Sequence, residues 1–259
     1  MHTFQKMKQY NESNTSIGRP KLCVSLMGET LDDIRIKAQR INESPADILE
    51  FRADSYKGDL YKDLFAIFSA IKEAFKGELL FTLRSDENGK FGDLSVDTAK
   101  NILMNALASE SVDMVDIEYR LVLDDNATMD KIKSGNVAVV LSEHEYEGNF
   151  TADYIYDKLN KLGRFNTDMI KYVIMPKSKD DVMHLMEGVI RYKEDYPNSH
   201  VIAHAMGEIG LISRLSAEVI GSEIVFAALD DISAPGQIDV NMMKTCLDTI
   251  HEQLISGED

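Results

Sequence analysis

The chain is short of cysteine and of basic residues and has no long apolar run, and each shortage narrows its class. Two cysteines in 259 residues, Cys23 in an apolar run and Cys246 in a helical pattern, are too few and too far apart for a disulfide scaffold or a zinc knuckle. They read as buried free thiols, which suits a reducing compartment. Lysine and arginine total 28 against 44 aspartates and glutamates, a formal charge of -16 with a pI near 4.8. That balance opposes binding to phosphate backbones, so no nucleic-acid partner is expected, although a few arginines focused in a cleft can still hold a small anion. No stretch approaches the roughly 18 apolar residues of a membrane span, and the amino terminus lacks a signal peptide's apolar centre. A soluble, cytoplasmic protein with no membrane partner is expected.

Several chemical signatures are missing as well. No Gly-x-Gly-x-x-Gly turn follows an early strand and no Walker-type loop is present, which disfavours dinucleotide and nucleotide-phosphate sites. There is no His-Glu-x-x-His pattern. Glu143, His144 and Glu145 cluster in sequence, but consecutive strand residues point to opposite faces and cannot all hold one ion. No metal site is expected.

What the chain does contain is an alternation. Residues 1–19 are polar and read as an N-terminal arm in loop conformation; from residue 20 to 259 short apolar runs alternate with helical patterns. The strands fall at 22–27, 48–53, 79–84, 114–120, 137–144, 169–175, 200–206 and 224–229. Helices fall between them, one starting at Leu31 with Thr30 as its cap and one covering Ile212 to Ile220. Eight such units without a linker predict an α/β fold: a single (β/α)8 TIM barrel with a short polar N-terminal extension.

Within the strands, residues two apart share a face. Even positions collect the polar groups: Glu50 and Arg52, Thr82 and Arg84, Asp116 and Glu118, Ser142 and His144. Odd positions such as Leu49, Phe51, Leu83, Val115, Ile117, Val139 and Leu141 are apolar and would face the helices. The interior is therefore polar towards one end, and Arg52, Arg84, Arg120 and His144 sit near carboxyl ends of strands, where this fold carries its chemistry. An inward Asp or Glu beside an inward Arg is by itself a structural ion pair, the role favoured for Asp116 and Glu118. The joint pattern across neighbouring strands points to one pocket of ionisable groups.

Lys171 lies inside the apolar stretch from Asp168 to Pro176, where a charged amine is costly. It either pairs with Asp116 or Glu118, or serves as a nucleophile whose pKa is lowered by Val173, Met175 and nearby arginines. With His144 on the adjacent strand as proton carrier, the pocket suits Schiff-base chemistry on a ketone. Arg214, early in the helix after the seventh strand, would bind a carboxylate in bidentate fashion, with Glu50 available to hydroxyls. A compact oxo-acid is implied; a phosphate is disfavoured because no glycine-rich turn follows strands seven and eight.

Six motifs in order, Ile48-Leu49-Glu50-Phe51-Arg52-Ala53-Asp54, Leu80-Phe81-Thr82-Leu83-Arg84, Leu141-Ser142-Glu143-His144-Glu145-Tyr146, Ile170-Lys171-Tyr172-Val173-Ile174-Met175-Pro176, Ser213-Arg214-Leu215 and Ser233-Ala234-Pro235-Gly236-Gln237, resemble type I 3-dehydroquinate dehydratase. The resemblance runs from about residue 20 to the end. It implies a lyase of the shikimate pathway, in chorismate and aromatic amino acid biosynthesis, that dehydrates 3-dehydroquinate to 3-dehydroshikimate without metal or added cofactor. By motif, Lys171 forms the imine and His144 acts as general base and then acid. Arg214 holds the carboxylate, and Ser25, Glu50, Arg52, Arg84, Ser233 and Gln237 position the rest of the substrate. The Ser233–Gln237 loop resembles the family's closing lid, and a homodimer is expected from resemblance alone. One departure stands out: some members orient the histidine with a glutamate four residues after the arginine matching Arg84, where this chain has Asn88, so the preceding Glu87 becomes the candidate. The rival readings are another Schiff-base aldolase-type barrel and a noncatalytic carboxylate-binding barrel.

Overall fold

The computed structural model of the chain describes residues 18–86, 89–123, 125–133, 135 and 137–257. The arm expected over residues 1–19 lies outside them but for its last two residues, and so do Glu87 and Asn88. Eight strands follow one another: β1 (Lys21–Leu26), β2 (Ile48–Arg52), β3 (Glu78–Thr82), β4 (Met114–Glu118), β5 (Ala138–Glu145), β6 (Met169–Ile174), β7 (Val201–Ala205) and β8 (Ile224–Ala227). All ladders are parallel, in the order β7-β6-β5-β4-β3-β2-β1-β8. The remaining gap between β7 and β8 is closed by Glu223 N–H donating to Val201 O at 2.9 Å and Ala203 N–H donating to Ser222 Oγ at 3.0 Å. This is the (β/α)8 barrel that the alternation predicts.

The helices are α1 (Leu31–Asn42), α2 (Leu60–Ala74), α3 (Val96–Leu107), α4 (Asn126–Lys133), α5 (Ala152–Gly163), α6 (Lys179–Asp195), α7 (Leu211–Leu215), α8 (Ala217–Ile220) and α9 (Val240–Ser256). Thr30, Asp59, Ser95, Thr151, Ser178 and Asp239 cap α1, α2, α3, α5, α6 and α9 through side-chain oxygens, satisfying amides that the first turn leaves unpaired. The single helix expected from Ile212 to Ile220 is instead two short ones. Ser216 separates them, its hydroxyl donating to Ile212 O at 2.6 Å and competing with the backbone ladder. No helix among the described residues is long and apolar enough to cross a membrane.

A repeated device fastens the strands in pairs. The residue just before β2, β4 and β6 is an aspartate, and its carboxylate accepts the backbone N–H of the preceding strand: Asp47 from Leu22, Asp113 from Leu79 and Asp168 from Val139, each at 2.8 to 2.9 Å. Ser222, shortly before β8, does the same for Ala203 of β7. The barrel is thereby built from four tied β-strand pairs.

Strand parity divides the core. Leu49, Phe51, Leu83, Val115, Ile117, Val139 and Leu141 are buried with the helices in one outer layer, as the odd-position pattern requires. Inside the barrel, Cys23, Ile48, Leu80, Met114, Val140, Met169, Ile202, Ile224 and Phe226 form a separate apolar plug. Burial pushes the Cys23 thiol well above its ordinary value, so this cysteine is inert packing. Above the plug, towards the carboxyl ends of the strands, the interior turns polar.

Candidate active site

The polar layer is set by register. Ser25 pairs with Glu50 across β1 and β2, Arg52 with Thr82, Thr82 with Asp116, Glu118 with Ser142, and Ser142 with Lys171. Because the strands are parallel and period-two, these side chains all turn inward. Lys171 is 3% exposed, and its Nζ lies 3.1 Å from Asp116 Oδ2 and 3.9 Å from Glu50 Oε1, with the Phe226 ring centroid at 4.2 Å. The structural partner anticipated for a buried lysine is therefore present in Asp116. The charges paired with the amine are carboxylates, and Arg84 shares the Asp116 oxygen that Lys171 binds.

Asp116 is the hub. Its Oδ2 accepts from Lys171 and, at 2.9 Å, from Arg84 Nη2; its Oδ1 accepts from Ser142 Oγ at 2.5 Å. Burial works against its ionisation, but Arg84 and then Lys171 outweigh burial and hold the carboxyl below the usual range. Glu50 is held by Thr82 Oγ1 at 2.9 Å and by Ser25 Oγ. Glu118 accepts from Arg84 Nη1 at 3.0 Å, from Ser85 N and Oγ, and from Arg120 Nε. Each inward carboxylate thus has its charge answered, as burial demands.

Arg84 lies past the end of β3, which stops at Thr82 and not at the expected residue 84. The Arg84 N–H donates to Asp54 Oδ1 at 3.2 Å in place of a ladder partner, and this turn aims the guanidinium at the chamber. Its Nη1 faces Glu118 Oε1, Ser142 Oγ at 3.2 Å and His144 Nδ1 at 3.3 Å, three acceptors for two hydrogens. The histidine contact is the longest of them. A guanidinium only donates, so when Nη1 gives one of its two hydrogens to this contact Nδ1 is the acceptor and Nε2 carries the ring hydrogen. Burial first, then Arg84, Lys171, His204 and Arg52, hold the His144 imidazole well below the ordinary histidine value, so it is neutral near pH 7.

The remaining candidates fall around this centre. Arg52 is tied to Asp54 in a bidentate pair, Nε to Oδ1 at 2.9 Å and Nη2 to Oδ2 at 2.7 Å, at the chamber rim. Arg120 likewise sits on the rim, bound to Glu118 and to Asp86 O. Arg214 on α7 is 0% exposed, and Nε, Nη1 and Nη2 are all sealed without a hydrogen bond among the described residues. Burial alone pulls its pKa down to about 10. A guanidinium in this state has the geometry to take a planar anion in bidentate fashion. Glu143 and Glu145, flanking His144, turn outward to Lys158 on α5, as strand alternation requires.

The loop after β8 closes one side. Ser233 Oγ donates to Ser25 Oγ at 2.7 Å, Ser233 N donates to Gln237 Oε1 at 3.0 Å, and Gln237 Nε2 donates to Ser233 Oγ at 3.0 Å. Gly207 N donates to Pro235 O at 3.0 Å, and a Cβ on Gly236, whose φ is +82°, would meet Gly207 O at 2.2 Å. The loop is therefore docked directly on the turn that follows β7. Glu87, the remaining candidate, lies outside the described residues.

Two inward residues escaped the sequence reading: His204 on β7 and Phe226 on β8. The signal that would have found His204 is the same parity, since it falls on the even face with Ile202. It was missed because β7 has no second polar residue to draw attention to that face.

Comparison with known proteins bears on the whole chain. A family model of type I 3-dehydroquinase matches residues 22–254. A 3-dehydroquinate dehydratase of Salmonella paratyphi B is 35% identical over 240 residues, spanning 91% of this chain and 94% of that protein. Among solved structures, a type I 3-dehydroquinate dehydratase from Clostridium difficile with covalent modified comenic acid aligns with a TM-score of 0.83 at 27% identity, over 91% of this chain and 94% of that one. A 3-dehydroquinate dehydratase from Geobacillus kaustophilus aligns with a TM-score of 0.83 at 26% identity, over 90% and 91%.

Proposed function

This chain belongs to the type I 3-dehydroquinase family, and from that premise we propose that its barrel dehydrates 3-dehydroquinate to 3-dehydroshikimate through an imine on Lys171, as a hydro-lyase of the shikimate pathway. The observation that carries the mechanism is the juxtaposition of a buried lysine, a neutral histidine two residues beyond its cross-strand partner Ser142, and a sealed arginine with no hydrogen bond among the described residues.

The substrate's carboxylate docks on Arg214 and answers its open donors. Lys171, freed of one proton, attacks the C3 ketone; the carbinolamine loses water and becomes an iminium. Asp116, which holds the ammonium at 3.1 Å, then faces a cation at the same nitrogen, so charge is conserved at this buried spot. His144 takes the C2 proton, and the electrons pass into the iminium to give an enamine. The resulting imidazolium gives its proton to the C1 hydroxyl, which leaves as water. Hydrolysis of the product imine consumes one water and so balances the one released at imine formation, which leaves the water made from the C1 hydroxyl as the net loss.

For His144 Nε2 to accept a proton, Nδ1 must carry the hydrogen and find an acceptor. Arg84 then gives up its longest contact while keeping Asp116 and Glu118, and Glu87 is the candidate acceptor. Ser25, Glu50, Arg52, Arg84, Ser233 and Gln237 position the ring and its hydroxyls, and the docked loop excludes water. No metal or cofactor enters this scheme. We further propose a cytoplasmic homodimer, for which a sedimentation mass near twice 29.1 kDa is the expected result and that of one chain the contrary one.

Two measurements test the reading. Purified protein given 3-dehydroquinate should produce a conjugated enone, seen as rising ultraviolet absorbance. Borohydride with substrate should add mass at Lys171, absent in Lys171→Ala, whose turnover should fall by roughly a thousandfold or more. An unchanged intact mass in an enzyme that still turns over would overturn the covalent route.

A further inference from the structure

Two histidines flank β6 at one level of the sheet. His144 on β5 and His204 on β7 both pair with Val173, one step beyond the row in which Lys171 pairs with Ser142 and Ile202. Cross-strand partners in a parallel ladder share a face, so both rings turn into the chamber that Lys171 enters from below. Their surroundings differ. His144 Nδ1 is engaged by Arg84, whereas His204, 5% exposed, packs its ring 5.7 Å from that of Phe226 and has no hydrogen bond to any described residue.

Its ring nitrogens are not among the sealed atoms, so the hydrogen-bonding capacity that no described residue uses opens onto the chamber, where a ligand atom can meet it. Burial, then Arg214, then Lys171 keep the ring neutral. A neutral imidazole offers one donor and one acceptor. The same Phe226 ring lies under the Lys171 amine, which sets His204 beside the reacting nitrogen as well as within the field of the carboxylate anchor. In 3-dehydroquinate the carboxylate and the departing hydroxyl share one carbon, C1. A donor–acceptor pair beside Arg214 matches that carbon's two substituents.

We propose that His204 is a substrate-binding residue, hydrogen-bonding the carboxylate and C1-hydroxyl end of 3-dehydroquinate from β7, across β6 from His144. Arg214 supplies the charge that holds this end, and His204 fixes its rotation so that the C2 proton faces His144. The proposal rests on the dehydratase reading given above.

The test compares wild-type enzyme with His204→Leu and His204→Gln. Wild-type turnover of 3-dehydroquinate checks the underlying reading; its absence overturns both claims. With turnover present, His204→Leu should raise KM by about tenfold or more while His204→Gln, which keeps a donor and an acceptor, stays within about threefold. A KM in His204→Leu within about twofold of wild type overturns the role of His204 and leaves the dehydratase reading standing. A measurement on the unaltered enzyme guards against a variant that fails to fold. In protein labelled with 15N-histidine, the His204 ring signals should move when 3-dehydroshikimate saturates the site, and unmoved signals overturn the proposal.

Discussion

Arg214 enters a sealed position with a full charge and no hydrogen-bond partner among the described residues. Such a group is held at the expense of stability, since an uncompensated buried charge costs several kcal/mol. Arg214→Met, which keeps the stem and removes the charge, should therefore raise the thermal midpoint of the free protein, by the equivalent of about 1–4 kcal/mol. The same variant should lose roughly a hundredfold or more in kcat/KM as the carboxylate loses its charged partner. A lowered midpoint measured by calorimetry would contradict the unpaired charge. His144 and His204 set a second expectation. An unfolded histidine takes its proton near 6.5, whereas both buried rings take theirs only at lower pH. Between those values the unfolded chain binds more protons, so stability falls as pH drops below about 6.5, by up to about 1.4 kcal/mol per pH unit for each ring. The acid limb of kcat/KM should likewise lie below the ordinary histidine value. Urea titrations from pH 7.5 to 5 should show a shallower decline in a His144→Gln, His204→Gln double variant; equal slopes would contradict the assignment.

Register does for the elements what charge does for the residues. A slip of one residue in β6 would turn Lys171 into the helix layer and Tyr172 into the chamber, so the inner polar face and the outer apolar face are enforced together. The loop from Ser233 to Gln237 is a different kind of element, held by few contacts and a close backbone approach. Gly236 lies where a Cβ would overlap Gly207 O at 2.2 Å, in a left-handed conformation that only glycine adopts freely. Gly236→Ala should lift the loop from Gly207, break the Ser233–Ser25 bond, and lower kcat/KM by about tenfold or more with a nearly unchanged thermal midpoint. Faster proteolysis between Ser233 and Gln237 should accompany the loss. Full activity in this variant would show that docking of the loop is dispensable.

At the scale of the whole molecule, the barrel depends on its closing seam. β7 and β8 are joined through Glu223 N and through Ser222, the last member of the series begun by Asp47, Asp113 and Asp168. Ser222 is 2% exposed, so Ser222→Ala leaves the buried Ala203 N–H without an acceptor. The expected result is a loss of about 1–3 kcal/mol in denaturant unfolding, with faster amide exchange in β7 and β8 than elsewhere in the sheet. A change below about 0.5 kcal/mol would mean that the seam is held by packing alone.

Alternation of apolar runs and helical patterns was enough to determine a (β/α)8 barrel, because parallel strands covered on both faces must be apolar and must be linked by crossovers. Period-two parity was enough to say that Glu50, Arg52, Asp116, Glu118, His144 and Lys171 share the interior, since side-chain direction in a strand is local geometry. What parity could not determine is distance. Only the closed sheet brings Asp116, two strands away, to within 3.1 Å of Lys171, and only the turn past Thr82 swings Arg84 between Glu118 and His144. The donors of Arg214 and the ring nitrogens of His204, which meet no hydrogen-bond partner among the described residues, are likewise facts of packing, because a missing partner is a property of everything that surrounds a residue and of nothing in its own stretch of chain.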